Sequence, residues 1–199
     1  MPIDTYHSTH VLSRRVRVLA RHLADLAPQG TDILDVGCGD GQVAKLLLDQ
    51  RPDLKISGVD VLARKNTAIP IDLFDGRRLP FADATKDAVM FIDVLHHTPD
   101  PLVLLREAAR VSGRWVIIKD HTCTGLGAGP TLRFMDWVGN AHYGVALPYN
   151  YWREPQWAQA FAELKLQPMR SVTSLGLYPW WAEWMFGRRL HFMAVLEKQ

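Results

Sequence analysis

The sequence predicts a doubly wound α/β domain built on a mostly parallel sheet. Three observations carry that expectation: short apolar strand patterns alternate with helical patterns between residues 32 and 119, glycines crowd the turn after the first of those strands, and an aspartate ends the second. Parallel strands separated by helices need crossover connections, which are right-handed and cover both faces of the sheet.

The elements follow in order. Leu12, Val16, Leu19, Leu23 and Leu26 recur at spacings of three and four, which puts them on one face of a helix over Val11 to Leu26. Pro28 and Gly30 end that helix. Asp32 to Val36 reads as the first strand, and Gln42 to Gln50 as the helix after the glycine turn, packed through Val43, Leu46 and Leu47. Strands two, three and four are expected at Lys55 to Val59, Pro70 to Phe74 and Ala88 to Ile92. Asp100 is an N-cap followed by Pro101 at the first helical position, opening a helix to about Val111, and Arg114 to Lys119 is strand five. After Asp120 glycine and aromatic residues dominate through Trp152, and six of the seven tryptophans lie at or after Trp137. A helix over Glu154 to Leu164 and strands near Leu166 to Ser174 and His191 to Leu196 finish the chain.

The composition narrows the function classes. With 199 residues, 48% hydrophobic and 22% charged, the chain supplies one sizeable core. No apolar run approaches the roughly 18 residues that span a bilayer, and the start Met1-Pro2-Ile3-Asp4 lacks a basic region followed by an apolar one, so a cytoplasmic location is expected. Cys38 and Cys123 offer at most one bridge, and no Cys-x-x-Cys or Cys/His cluster has zinc-like spacing. Neither a disulfide framework nor a metal is expected. The net charge of +2 is scattered along the chain, which argues against nucleic acid as the main partner.

A glycine-rich turn between strand and helix lets a ligand approach backbone where any side chain would collide, and the helix start offers unpaired N–H groups. Asp35-Val36-Gly37-Cys38-Gly39-Asp40-Gly41 is such a turn. A dinucleotide fingerprint, Gly-x-Gly-x-x-Gly, would need a third glycine at position 42, where this chain has Gln42. The spacing 37, 39, 41 instead resembles motif I of the class I S-adenosylmethionine-dependent methyltransferases, of the small-molecule, type 11-like kind. Gly58-Val59-Asp60 then places an acid at the end of strand two, suited to a ribose diol. Asp75-Gly76-Arg77-Arg78-Leu79-Pro80-Phe81 resembles the family's Asp-x-x-x-Leu-Pro-Phe segment, whose acid accepts from the adenine amino group, and Asp87 to His97 resembles motif IV.

The resemblance, which covers about Thr31 to Lys119, implies a Rossmann-like sheet, mostly parallel with an antiparallel C-terminal strand, and S-adenosyl-L-methionine as cofactor. It assigns cofactor binding to Asp35, Gly37, Gly39, Gly41, Asp60, Val61, Asp75, Gly76 and Asp93. Length, composition and the lack of an internal repeat or linker predict one domain over 1–199, read as a helical cap at 1–30, the cofactor core at 31–120 and acceptor-side elements at 121–199. A nicotinamide-dependent oxidoreductase, disfavoured by Gln42, and a noncatalytic cofactor-binding partner protein are the alternatives.

Methyl transfer to a hydroxyl or an acidic carbon requires removal of a proton, and histidine suits that task near neutral pH. His121, after strand five, and His97, after motif IV, are the catalytic candidates, with His96 behind them. Asp120 is expected on the opposite strand face from His121. Asp136 to Trp152 mixes aromatic residues with Asn140, His142, Tyr143 and Asn150, a composition that suits an acceptor pocket. The cluster Tyr178 to Phe186 reads as packing under a hairpin connection, or as a lid or a membrane-resting face. Motif IV holds Ile92-Asp93-Val94-Leu95 rather than the Asn/Asp-Pro-Pro-Tyr/Phe of nucleobase amine methyltransferases, so a small aromatic, apolar or lipid-like metabolite is the expected acceptor, methylated on oxygen or carbon.

Overall fold

The computed structural model describes residues 12–140, 148–187 and 189–199. Helix α1 (Leu12–Leu26) precedes β1 (Asp32–Val36), α2 (Gln42–Gln50), β2 (Lys55–Asp60), β3 (Ile71–Leu73) and β4 (Lys86–Ile92). A 3-10 turn (Leu95–His97) leads to α3 (Pro101–Val111) and β5 (Ser112–His121). The rest is α4 (Ala128–Asn140), α5 (Glu154–Glu163), β6 (Leu166–Val172), α6 (Trp180–Phe186) and β7 (His191–Lys198).

Among the described residues seven strands form one sheet in the order β3-β2-β1-β4-β5-β7-β6. The pairs from β3 to β5 are parallel, and β7 is antiparallel to both of its neighbours. The chain first builds outward from β1 through β2 and β3, then returns to place β4 on the other side of β1. That reversal opens a crevice at the carboxyl ends of β1 and β4, where ligands bind in open α/β sheets.

Strand alternation divides the core. Leu34, Val89, Phe91, Val116 and Ile118 face α3 and α5 through Leu104, Leu105, Ala108, Trp157 and Phe161. Ile33, Ile56, Met90 and Ile117 face α1 and α2 through Leu19, Leu23, Ala44 and Leu47. Adjacent strand residues such as Ile33 and Leu34 therefore both lie buried, on opposite faces, which is why these strands read as continuous apolar runs.

Asp100 caps α3 as expected, its Oδ1 accepting from Leu102 N at 2.9 Å. The differences lie late in the chain. The glycine- and aromatic-rich stretch after residue 120 contains α4, whose Gly129 and Pro130 imitate a loop; proline in a first turn removes only an N–H that has no helical partner. The aromatic cluster contains α6, too short at seven residues to show a helical period. Strand β5 is longer than predicted and runs to His121. Among the described residues no helix is long and apolar enough to cross a membrane.

Candidate active site

Gly37, Gly39 and Gly41 all lie in the left-handed region, at φ 70°, 61° and 78°, which an L side chain rarely adopts. Their surroundings distinguish them. A Cβ at Gly37 would stand 2.7 Å from Val94 Cγ2, and one at Gly41 2.7 Å from Ile69 Cγ1, so these two allow close packing within the protein. A Cβ at Gly39 would meet nothing within 4 Å. Gly39 therefore presents bare backbone to open space, and its N–H donates to Asp60 Oδ2 at 2.8 Å.

Asp60 is 6% exposed at the end of β2, and its Oδ1 accepts from Leu62 N at 2.8 Å. The apolar Val61 beside it is exposed, and packs closely enough that a Cβ at Gly76 would lie 3.1 Å from Val61 Cγ1. Asp75, exposed, accepts from the N–H groups of Arg77 and Arg78 at 2.8 and 2.7 Å, both through Oδ1, and those donors lower its pKa. Asp35 is buried beneath the turn with Oδ1 unpartnered. Burial, reinforced by the charge of Asp60, pushes its pKa up to about 8.

A second group of polar side chains fills the carboxyl ends of β4 and β5. Asp120 Oδ1 lies 2.6 Å from His96 Nδ1 and accepts from His121 N at 2.7 Å, while Oδ2 accepts from Leu95 N at 3.0 Å. His96 Nε2 is 3.4 Å from Asp136 Oδ2 without hydrogen-bond geometry, and Tyr151 donates its hydroxyl to that same Oδ2. His121 Nδ1 is 3.3 Å from His96 Nδ1 and 3.4 Å from Asp120 Oδ1. Below them Asp93 accepts from Arg15 at 2.5 Å and from the fully buried Lys119.

Burial and charge sort the protonation states. Burial lowers the pKa of His96, but Asp120 and Asp136 outweigh it and hold the value up to about 10, so this site favours a positive charge at the ring. Burial, then the charges of His96 and Lys119, press His121 down to about 4. Burial and His96 likewise lower His97. Both shifts favour the neutral ring. Burial raises Asp93, yet Arg15 and Lys119 keep its carboxyl well below the usual range.

A family model described as a methyltransferase domain matches residues 9–169. The chain belongs to the class I S-adenosylmethionine-dependent methyltransferases. It is 27% identical over 159 residues to 2-methyl-6-phytyl-1,4-hydroquinone methyltransferase of Synechocystis sp., covering 71% of this chain and 45% of that one. It is 29% identical over 108 residues to 27-O-demethylrifamycin SV methyltransferase of Amycolatopsis mediterranei, covering 47% of this chain and 39% of the relative. The chain thus spans less than half the length of these curated relatives. A SAM dependent methyltransferase from Aquifex aeolicus shares the fold across the whole of both chains, with a TM-score of 0.64 at 16% identity.

S-adenosylmethionine is the cofactor of this methyltransferase family, and the residues fit it. Each carboxylate oxygen of Asp60 accepts one backbone N–H, which leaves a second lone pair on each for a ribose diol. Exposed Val61 offers an apolar face for a flat base, the open side of Gly39 admits close approach, and buried Asp35 Oδ1 supplies an acceptor that the protein leaves unmatched. Asp93 stands apart from these: both its oxygens hold cations, so its backbone, at φ 57°, is what it can offer the methyltransferase's cofactor.

The later part of the chain shows more corrections. Asp120 and His121 meet at the end of β5 rather than facing apart, although the strand stays paired with β7 through both residues: Asp120 Oδ1 turns back along the chain to accept from His121 N and lies 3.4 Å from His121 Nδ1. Asn150 clamps its segment onto the 3-10 turn, its Nδ2 donating to Thr98 O at 3.2 Å and Pro99 O at 3.1 Å and its N–H to His96 O at 3.2 Å. His142 and Tyr143 lie outside the described residues. Trp180, Trp181 and Trp184 are on the outside of α6 rather than packed under a connection, at 87%, 61% and 67% exposure. Sequence reasoning missed Asp136, Tyr151, Arg15 and Lys119 as members of one cluster; they come from α1, β5, α4 and a loop, and no local spacing links them.

Proposed function

We propose that this chain is an enzyme that methylates oxygen or carbon of a small aromatic, apolar or lipid-like acceptor. S-adenosylmethionine, when bound, supplies an electrophilic methyl group on a sulfonium. The observation that carries the reading is the pairing of Gly39 with Asp60: bare backbone in open space tied to a buried carboxylate with free lone pairs.

In this proposal Asp35, Gly37, Gly39, Gly41, Asp60, Val61, Asp75 and Gly76 form the donor side, with Asp93 contributing backbone. The acceptor enters over the 3-10 turn, where His97 meets the His96 and Asp136 pair. His97 touches the acceptor. His121 is a positioning residue, because at 2% exposure its ring is enclosed by His96, Asp120 and His191. An apolar acceptor is supported by the exposed Trp180, Trp181 and Trp184 on α6 and Phe134 and Trp137 on α4; α6 reaches the cluster through His191 Nε2, 3.2 Å from Phe186 O. That face also suits peripheral contact with a lipid surface. The domain reads as one unit, with a helical cap to residue 30, a donor core to residue 120 and acceptor-side elements beyond.

Incubation with methyl-labelled S-adenosylmethionine and a metabolite extract tests the proposal. Label is expected in an organic-soluble small molecule, and its absence from every fraction, with S-adenosylhomocysteine still binding, would reduce the chain to a noncatalytic cofactor-binding protein.

A further inference from the structure

We propose that His96, His97 and Asp136 bind a divalent first-row transition metal ion on the acceptor side of the proposed methyl-transfer site. The inference rests on that functional reading only for what the ion would do; the geometry stands by itself. Each of the three residues places one ligating atom within 4.8 Å of the other two. His96 Nε2 and Asp136 Oδ2 are 3.4 Å apart. In a tetrahedral site with bonds of about 2.0–2.1 Å, neighbouring ligand atoms stand about 3.3 Å apart.

The independent observation is the set of atoms left unmatched. His96 Nε2 and His97 Nδ1 are buried side-chain nitrogens without hydrogen-bond partners, on adjacent residues of one short turn, their ring centroids 4.0 Å apart. His96 is 2% exposed. Leaving two such nitrogens unpaired in one place is costly unless something else pairs with both.

The surroundings are those of a ligand set held in place. Histidines that bind metal through one nitrogen regularly give the other to a carboxylate, which fixes the ring and raises its basicity. His96 Nδ1 has that partner in Asp120 at 2.6 Å, and Asp120 is itself fixed by two backbone N–H groups. Asp136 is held by the Tyr151 hydroxyl, and Asn150 pins the Tyr151 segment to the 3-10 turn. Charge points the same way. Asp93, Asp120 and Asp136 face two fixed cations, Arg15 and Lys119, so one negative charge must be met by a proton on His96 or by a bound cation. A neighbouring trio, Asp93, His96 and His121, fails the same test, because Asp93 already holds Arg15 and Lys119, and His96 Nδ1 already holds Asp120.

Two imidazoles and one carboxylate suit zinc, cobalt, iron or nickel better than magnesium or calcium, which prefer oxygen ligands throughout. Three protein ligands leave a coordination position for an acceptor oxygen, which the ion would orient and polarise. The sequence concealed this site: adjacent histidines matched no metal spacing, and the third ligand lies forty residues on, in a helix the composition disguised.

Chelator-stripped protein titrated with Co2+ is the test. One equivalent should bind and give the visible absorption of a four- or five-coordinate nitrogen and oxygen site, and Zn2+ should displace it. His97→Ala and Asp136→Asn should each weaken Co2+ binding by about tenfold or more. S-adenosylhomocysteine calorimetry on the same samples reports separately on folding and on the donor side. No stoichiometric Co2+ or Zn2+ uptake, or uptake unchanged in both variants, overturns the metal site and assigns the cluster to a doubly protonated His96 held between Asp120 and Asp136. Loss of S-adenosylhomocysteine binding with Co2+ uptake intact would instead overturn the functional reading.

Discussion

In the proposed donor site Asp60 would act through the lone pairs that its two backbone contacts leave free. Asp60→Ala is therefore expected to weaken S-adenosylhomocysteine binding by about 1.5–3 kcal/mol, the range for hydrogen bonds to a charged group, with the fold retained. Isothermal calorimetry checks this, and unchanged affinity removes Asp60 from the ribose. Asp35 carries a pH dependence whose sign follows from its raised pKa. The folded state holds a proton on Asp35 up to about pH 8, whereas an unfolded chain releases it near 3.8, so the folded state binds more protons between those values. The stabilisation is complete below about pH 4 and is lost as pH rises toward 8, by up to about 1.4 kcal/mol per pH unit. Asp35→Asn should abolish that component: its denaturation midpoint should gain on the wild type as pH increases from 5 to 8. A constant difference between the two proteins would mean that Asp35 is ionised in the fold. His121→Ala is expected to lower turnover with cofactor affinity little changed, because the ring orients His96 rather than the donor; single-turnover rates against calorimetry separate the two.

The β1, glycine turn and α2 unit was legible in the sequence because every signal in it is local: an apolar run, glycines at required left-handed positions, and a helical period. What each glycine does was not legible. Gly37 and Gly41 admit Val94 and Ile69, residues far along the chain, while Gly39 alone faces open space. Gly37→Ala should destabilise the protein through two causes, about 1–2 kcal/mol for the left-handed backbone and a further part for the contact with Val94. Adding Val94→Ala should recover the second part only. Urea denaturation of the single and double variants measures the division, and no recovery would show that the turn moves away from Val94 instead. Helices α4 and α6 were hidden for a related reason: a proline in a first turn and a seven-residue length erase the signals that sequence periodicity relies on.

Across the whole molecule, α1 is tied to the sheet by polar groups as well as by Leu19 and Leu23. Arg15 reaches across to Asp93, which also holds Lys119, so helix α1 and the polar cluster at the ends of β4 and β5 share one ion set. Asp93→Ala would leave Lys119 buried without its carboxylate, and breaking such a pair costs about 3–5 kcal/mol; a large loss in denaturation midpoint is expected, and a loss below 1 kcal/mol would show that Lys119 sheds its proton instead. The sequence by itself determined the doubly wound architecture and the donor class, since these follow from local periods and from motif spacings along the first part of the sheet. Tertiary structure alone decided the polar cluster at the carboxyl ends of β4 and β5. His96, Asp120, Asp136 and Tyr151 meet only when the sheet, α4 and the clamped loop are assembled, and their protonation states arise from mutual burial, a property that no single segment possesses.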